Sequence, residues 1–216
     1  MIGAVVFDLD GVILQTEEVW DDVRGRYVVE QGGRYDADAQ RAMMGMSAPE
    51  WSRYLSEELG VPGTPEEISA DVVRLMEARY GEDLPLIPGA REAVERLATR
   101  WPLGLASSSN RPLIDAALEL AGLDAYFGAT VSSEEVARGK PAPDVYLEAA
   151  RRLSVAPAAC VAVEDSHNGI RSAKAAGMGC IAIPNLHFPP GEAAAGADVL
   201  LGSIAELTAE TVSLAA

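Results

Sequence analysis

Residues 5–11 of this chain read VVFDLDG, an apolar run that ends in two carboxylates, Asp8 and Asp10. The apolar residues predict a buried strand, and residues two apart on an extended backbone point to the same side. We therefore expect Asp8 and Asp10 to lie close together, where they repel each other and resist removal from water. Such a pair at the end of a strand needs a compensating partner from elsewhere in the chain.

The rest of the sequence predicts an α/β fold around that first strand. Further strands are expected in PLGLASSS, GATVSS, CVAVEDS, GCIAI and ADVLL. Helices are expected near residues 90–100, 111–121, 143–153, 168–176 and 203–214. Alternating short apolar strands and helices favour a doubly wound (Rossmann-like) parallel sheet that is covered on both faces.

Residues 16–81 interrupt this alternation with helical spacing and no clear strand. Within them, Thr64 followed by Glu67 is typical of a helix N-cap ahead of an apolar stripe. The segment is too long for a loop. We therefore predict an α/β core formed by residues 1–15 and 82–216, and a small all-helical domain, residues 16–81, inserted after the first strand.

Composition limits the classes of function. Only 17 Lys and Arg stand against 33 Asp and Glu, a formal charge of −16, which disfavours nucleic acid because its binding needs a basic surface. No apolar run approaches the ~18 residues of a membrane span, and the start lacks a basic secretory signal. Cys160 and Cys180 lie in short apolar runs that predict buried free thiols. We expect a cytoplasmic monomer or weak homodimer with no membrane partner.

Polar residues follow four of the predicted strands. The carboxyl ends of parallel strands meet at one edge of a sheet, where α/β proteins bind ligands. Taken singly, a serine run is typical of a helix N-cap, a lysine of a loop and an acidic pair of a salt bridge. Their convergence on one edge favours a shared site, formed by Asp8, Asp10, the serines at 107–109, Lys140, Glu164 and Asp165.

This set of groups fits phosphoryl transfer. Mg²⁺ would offset the repulsion between the carboxylates, because it binds carboxylate oxygens and leaves room for a phosphate. Lysine, serine hydroxyls and backbone N–H groups can hold the phosphate oxygens. A carboxylate can also act as the nucleophile and form an aspartyl-phosphate. Asp8 and Asp10 are thus interpreted as nucleophile and proton shuttle beside a magnesium ion.

Four segments resemble the four motifs of the haloacid dehalogenase superfamily of phosphohydrolases. They are FDLDGVILQT, LASSSN, GKPAPDVY and VEDSHNGIRSAKAAGM, and they follow the expected order from residue 1 to about residue 200. The resemblance is strongest to the branch of beta-phosphoglucomutase-like phosphatases. It implies that Asp8 is the nucleophile and Asp10 the general acid/base. It also implies that Ser107, Lys140 and the backbone N–H of Ser108 hold the phosphoryl group.

The resemblance further implies a metal site and a cap. Asp8, the carbonyl of Asp10 and Asp165 would bind Mg²⁺, with Glu164 as a ligand or a supporting anchor. The inserted helical segment would be a mobile cap that closes over the site and excludes water. Substrate contacts are expected from residues that face the site, with Thr16, Glu17, Trp20, Asn110 and the MMGMS segment at 43–47 as candidates.

The predicted function is a Mg²⁺-dependent phosphatase that acts on a small phosphorylated metabolite, a sugar or polyol phosphate. The main alternative is a phosphosugar mutase of the same branch. Mutase members place a histidine where this chain has Trp20 and a basic residue near Ala48, a difference that favours hydrolysis, although Arg41 or Arg74 could substitute. A non-enzymatic phospho-receiver module is a second alternative. It would need neither the insertion nor the acid/base Asp10.

Overall fold

The computed structural model describes residues 1–43, 46–184 and 191–215 of the chain. Met44 and Gly45, two residues of the MMGMS segment considered above as a substrate contact, lie outside the described residues. The remaining candidate residues all lie within them.

Six parallel strands of the described residues form one sheet. They are β1 (Ala4–Phe7), β2 (Leu103–Ser107), β3 (Phe127–Ser132), β4 (Cys160–Glu164), β5 (Gly179–Ala182) and β6 (Val199–Leu200). Their spatial order is β3-β2-β1-β4-β5-β6, and each neighbouring pair is parallel. This is the strand order of a doubly wound sheet, so the predicted fold class is confirmed.

Five helices of the described residues lie between β1 and β2, and the first four of them form the predicted insertion. These four are α1 (Glu17–Glu30), α2 (Ala37–Met43), α3 (Ala48–Glu57) and α4 (Pro65–Glu82), here called the helical insert. Thr64 caps α4 as predicted, because its hydroxyl accepts from the Glu67 N–H at 3.2 Å and the Glu67 carboxylate accepts from the Thr64 N–H at 2.9 Å. That the helical insert is a separate, moving domain stays a prediction.

The remaining helices cover the sheet. They are α5 (Ala90–Ala98), α6 (Arg111–Ala121), α7 (Asp144–Leu153), α8 (His167–Ala175) and α9 (Ala209–Leu214). The last of these begins at Ala209 rather than near residue 203, because the Thr208 hydroxyl accepts from the Thr211 N–H and starts the helix there. None of the helices formed by the described residues is both long and apolar enough to cross a membrane.

Burial on both faces explains why β1 is apolar throughout. Val5 and Phe7 join the hydrophobic cluster that includes α5, α6 and the helical insert, whereas Ala4 and Val6 join the cluster that includes α7 and α8. Alternate residues of a strand face opposite sides, so helices on both sides leave no polar position in the run. The first polar side chain of this strand segment is therefore Asp8, just past its end.

The site is located where the order of the strands reverses, between β1 and β4. The Asp8 N–H donates to the Val163 carbonyl at 2.9 Å, which keeps the ends of these two strands side by side. Glu164 ends β4 and Ser107 ends β2, the neighbour of β1 on the other side. The sheet thus brings the predicted polar residues to one edge, at the crevice where doubly wound folds bind ligands.

Candidate active site

Lys140 lies at the centre of the site, between two buried carboxylates. Its Nζ is 3.0 Å from Asp8 Oδ1 and 2.6 Å from Glu164 Oε1, and only 4% of its side chain is exposed. The Tyr146 ring lies 5.1 Å from the same nitrogen, within the range of a cation–π contact. Burial alone would lower the pKa of Lys140, but the charges of Asp8 and Glu164 outweigh it and raise that pKa. Lys140 is therefore a fixed positive charge.

Glu164 acts as an anchor, because donors fill the positions around both of its oxygens. Oε1 accepts from Lys140 Nζ at 2.6 Å and from the Tyr146 hydroxyl at 2.7 Å. Oε2 accepts from the Asp165 N–H at 3.1 Å and from the N–H and hydroxyl of Ser166 at 3.3 and 3.1 Å. A carboxylate has about four lone-pair positions, so little capacity remains for a metal ion.

Two glycines allow the acidic residues to approach the backbone. A Cβ atom at Gly169, in the first turn of α8, would overlap the carboxylate of Glu164. A Cβ atom at Gly11 would overlap the carboxylate of Asp165, and Gly11 has a φ of +78°, a conformation that favours glycine. Both positions need glycine because an acidic side chain occupies the space of the missing Cβ atom, and the spacing of the DxDG motif does not reveal this contact.

The site carries more negative charge than Lys140 can balance. Asp8, Glu164 and Asp165 each offer a buried carboxylate oxygen, and these oxygens lie within 4.8 Å of one another. Burial raises the pKa of Asp8 to about 8, with Glu164 adding to the rise and Lys140 opposing it. Burial, followed by the charges of Glu164 and Asp8, also raises the pKa of Asp165 well above its ordinary value. A bound cation would favour the charged form of both aspartates.

The free oxygens of this cluster fit a magnesium ion. Among the described residues, no donor forms a hydrogen bond with the Asp165 carboxylate, although the residue is only 6% exposed. Asp8 Oδ1 pairs with Lys140 and accepts a hydrogen bond from the Leu9 N–H at 2.8 Å. The other oxygen, Oδ2, is therefore available to a metal ion. Hard carboxylate oxygens are ligands that Mg²⁺ prefers. Asp8 and Asp165 are therefore the side chains that could hold the ion.

Three hydroxyl groups hold the side chain of Asp10. Oδ1 accepts from the Thr16 hydroxyl at 2.6 Å, and Oδ2 accepts from the hydroxyls of Ser109 and Ser107 at 2.7 and 3.3 Å. Ser107, predicted to hold the phosphoryl group, thus lies next to the predicted acid/base. Thr16, predicted as a substrate contact, is fully buried and positions Asp10 instead of presenting a free hydroxyl.

The other predicted contacts are divided between two places. Ser108 is exposed beside the buried Ser107, and Glu17 and Trp20 are half-buried in the first turns of α1. Burial and then the charge of Asp10 raise the pKa of Glu17, so its carboxylate lies near the site. The amide of Asn110 instead donates to Glu134 at 2.6 Å. Asn110 and Glu134 both line a neighbouring pocket of about 620 Å³ between α3, α4 and the start of α6.

Sequence reasoning missed two residues, Tyr146 and Tyr80, and one contact of a predicted residue. Ser109 belongs to the predicted serine cluster, but its hydrogen bond to Asp10 cannot be read from spacing. Tyr146 lies inside the quoted motif GKPAPDVY, and its bond to Glu164 cannot be read from spacing either. Tyr80 of α4 is 1% exposed and its hydroxyl has no partner among the described residues. Burial and the charge of Asp10 raise the pKa of that hydroxyl well above its ordinary value. No motif marks Tyr80.

The chain belongs to the haloacid dehalogenase-like hydrolases, whose family model matches residues 2–177. It is 34% identical to hexitol phosphatase B of Escherichia coli (strain K12) over 97% of this chain and 96% of that protein. It is also 33% identical to a bifunctional riboflavin kinase/FMN phosphatase of Arabidopsis thaliana over 85% of this chain. This chain covers 49% of that relative, about half of its length.

A solved structure supports the predicted branch of the family. A putative beta-phosphoglucomutase from Thermotoga maritima superimposes with a TM-score of 0.76 at 32% identity, over 95% of this chain and 96% of that chain. The predicted family and branch are confirmed. The prediction of a phosphoric monoester hydrolase of this type is confirmed as well.

The raised pKa values predict that magnesium stabilises the protein more at pH 8 than at pH 6. The pKa of Asp8 rises on folding from 3.8 to about 8, so without a cation the folded chain binds more protons and loses stability as pH increases between these values. Mg²⁺ binds deprotonated carboxylates and therefore gains affinity over the same range. Thermal melts with and without MgCl₂ at both pH values should show the larger increase in Tm at pH 8.

Asp165→Asn is the matched control for this experiment, because it removes one charged ligand and keeps the size of the side chain. We expect it to lose most of the magnesium-dependent increase in Tm. An equal increase at both pH values, or an unchanged increase in the variant, would contradict the assignment.

Proposed function

We propose that this protein is a Mg²⁺-dependent phosphatase that hydrolyses a small sugar or polyol phosphate through an aspartyl-phosphate on Asp8. One observation carries the proposal: Asp8, paired with Lys140 at 3.0 Å, lies in a buried carboxylate cluster that still has free oxygens. Similarity over nearly the full length to hexitol phosphatase B supports the choice of a polyol phosphate. A cytoplasmic location, a monomeric or weakly dimeric state and the absence of nucleic-acid or membrane partners stay predictions.

The nucleophile and the acid/base divide the reaction into two displacements. In the first, Asp8 Oδ attacks phosphorus, the bond to the ester oxygen breaks, and Asp10 gives its proton to the departing alcohol. In the second, Asp10 takes a proton from water, which attacks the aspartyl-phosphate and releases inorganic phosphate. Ser107, the Ser108 N–H and Lys140 would hold the phosphoryl oxygens, and Glu164 would keep Lys140 in place.

Magnesium bound by Asp8, Asp165 and the carbonyl of Asp10 would neutralise charge on the phosphoryl group and keep Asp8 ionised at neutral pH. Closure of the helical insert would exclude bulk water from the site. Thr16 supports this part of the proposal, since its hydroxyl connects the start of α1 to Asp10 at 2.6 Å. Closure of the insert would therefore add one of the three hydroxyl contacts that hold the Asp10 side chain.

Asp8→Asn should abolish phosphate release. An amide cannot form the acyl-phosphate, while its size and its place beside the Leu9 N–H are preserved. Phosphate release from p-nitrophenyl phosphate and from a panel of sugar and polyol phosphates measures the effect, with thermal melts as the control for folding. Substantial turnover by a folded Asp8→Asn variant would rule out the covalent mechanism.

Asp10→Asn should retain Mg²⁺ binding and lose about 10²–10⁴ in rate, the usual contribution of a general acid/base. The backbone carbonyl is unchanged, and the amide oxygen can still accept from the Thr16 hydroxyl. Calorimetric titration with MgCl₂ and steady-state kinetics give the two readouts. Loss of metal binding would instead identify the Asp10 side chain as a ligand.

Hydrolysis should predominate over phosphoryl transfer between positions of a sugar. Trp20 and Ala48 stand where mutases carry a histidine and a basic residue, and neither side chain has a positive charge or a group that could exchange a proton with Asp10. Arg41 and Arg74, the possible substitutes, are 67% and 69% exposed and pair with acidic residues of their own helices. Incubation with beta-glucose 1-phosphate, Mg²⁺ and a trace of glucose 1,6-bisphosphate should yield inorganic phosphate. Rapid formation of glucose 6-phosphate with little free phosphate would favour the mutase.

A further inference from the structure

Arg24 of α1 is a buried arginine that pairs with no carboxylate among the described residues. The residue is 8% exposed, and its only hydrogen bond to them runs from Nε to the Trp20 carbonyl at 3.2 Å. Its two terminal NH₂ groups have no partner there. A guanidinium that is largely removed from water and forms no ion pair favours an anion that completes its hydrogen bonds.

The guanidinium lies near the catalytic groups. Its Nε donates to the carbonyl of Trp20, and Trp20 lies one helical turn after Thr16. Thr16 itself contacts Asp10 at 2.6 Å. Burial and the charge of Asp10 raise the pKa of Glu17 in the first turn of α1, and the charge of Arg24 opposes that rise.

Trp20 fixes the orientation of Arg24. The centre of the guanidinium lies 5.4 Å from the centroid of the Trp20 ring, and Trp51 of α3 packs against that ring at 5.9 Å. Stacking covers a face of the guanidinium, and Nε is already bonded. The two terminal nitrogens of the guanidinium are the part that is still available to a ligand. Together they can bind a carboxylate or phosphate through two parallel hydrogen bonds.

The neighbouring acidic groups do not satisfy these terminal nitrogens. Asp21 accepts from the Tyr35 hydroxyl at 2.6 Å, and neither Asp21 nor Glu17 forms an ion pair with Arg24. Burial lowers the pKa of Arg24, and the charges of Tyr35, Glu17 and Asp21 only partly oppose this effect. Arg24 therefore has acidic neighbours, but its terminal nitrogens have no hydrogen-bond acceptor among the described residues.

We propose that Arg24 is a specificity-determining residue that binds a second oxyanion, carboxylate or phosphate, at the end of the substrate remote from the scissile phosphate. This inference rests on the proposed phosphatase activity and narrows its substrate class. The substrate would be a sugar or polyol phosphate of about five or six carbons with a second acidic group. Asp8, Asp10 and Lys140 would act on one end while Arg24 holds the other.

A matched panel of substrates tests the proposal with the wild-type enzyme. Glucitol 6-phosphate and 6-phosphogluconate share a six-carbon chain and differ at the far end, which is a hydroxymethyl group in one and a carboxylate in the other. Fructose 1,6-bisphosphate supplies a phosphate at that end, and p-nitrophenyl phosphate supplies neither group. We expect a higher kcat/KM for at least one substrate with a second oxyanion than for glucitol 6-phosphate. Comparison of 6-phosphogluconate with fructose 1,6-bisphosphate then distinguishes a preference for carboxylate from a preference for phosphate.

Arg24→Gln should remove this preference. Loss of a bidentate, charge-assisted contact should reduce kcat/KM for the preferred substrate on the order of 10- to 100-fold, mainly through KM. Turnover of p-nitrophenyl phosphate should stay within about 2-fold, because its nitro group has no net charge and forms no charge-assisted pair with Arg24. Arg24→Lys keeps the positive charge but loses the two parallel donors of the guanidinium. Its kcat/KM for the preferred substrate should therefore lie between those of the wild type and Arg24→Gln. Arg26→Gln is the control, since Arg26 is 73% exposed on the same helix and pairs with Asp22.

Two outcomes would overturn the proposal: a wild-type preference for glucitol 6-phosphate, or an equal loss on every substrate in Arg24→Gln and Arg24→Lys. The second would mean that Arg24 only packs the helical insert. Failure of the proposed function is distinguishable, because the wild-type protein would then release no phosphate from any substrate, p-nitrophenyl phosphate included.

Discussion

The ion pair between Lys140 and the two carboxylates of Asp8 and Glu164 is the interaction on which the rest of the site depends. These three groups are almost completely buried, so each would be unfavourable without the others. Tyr146 and Ser166 supply further donors to Glu164, and the absence of a side chain at Gly169 makes room for its carboxylate. The cluster still has an excess of negative charge, which is why a divalent cation fits it.

The topology of the sheet makes this arrangement possible. Asp8 and the Glu164–Asp165 pair are more than 150 residues apart in sequence, yet they follow adjacent parallel strands at the point where the strand order reverses. A parallel sheet aligns the carboxyl ends of its strands, so charges from distant segments meet there without a long loop. Helices on both faces keep the interior of the sheet apolar and leave the polar groups at its edge.

Asp165 and Arg24 are buried side chains of opposite charge that lack a complete set of partners among the described residues. Asp165 offers oxygens without a donor among the described residues, and Arg24 offers donors without an acceptor there. Asp165 belongs to the core and Arg24 to the helical insert, so a ligand that satisfied both would contact both parts of the chain. The Thr16–Asp10 hydrogen bond already connects them. The proposed substrate contact at Arg24 and the predicted acid/base, Asp10, are therefore connected through the first turns of α1.

The sequence by itself determined the sheet, its flanking helices and the residues at its edge. Strand and helix patterns are local, and the motifs around Asp8, Ser107, Lys140 and Asp165 are contiguous, so both can be read without coordinates. The C-terminal helix was predicted too long, because the choice of Thr208 as its cap depends on a hydrogen bond that competes with several alternatives nearby.

Only the tertiary structure decided the partners of those residues. It turned Asn110 toward Glu134, assigned Thr16 to Asp10, surrounded Glu164 with donors and left Arg24 without a counter-ion. Each of these outcomes depends on which side chains from separate elements meet, and on how much water the packed helices exclude. Composition and spacing contain neither quantity, because a charge becomes unpaired only when the surrounding chain has removed its solvent.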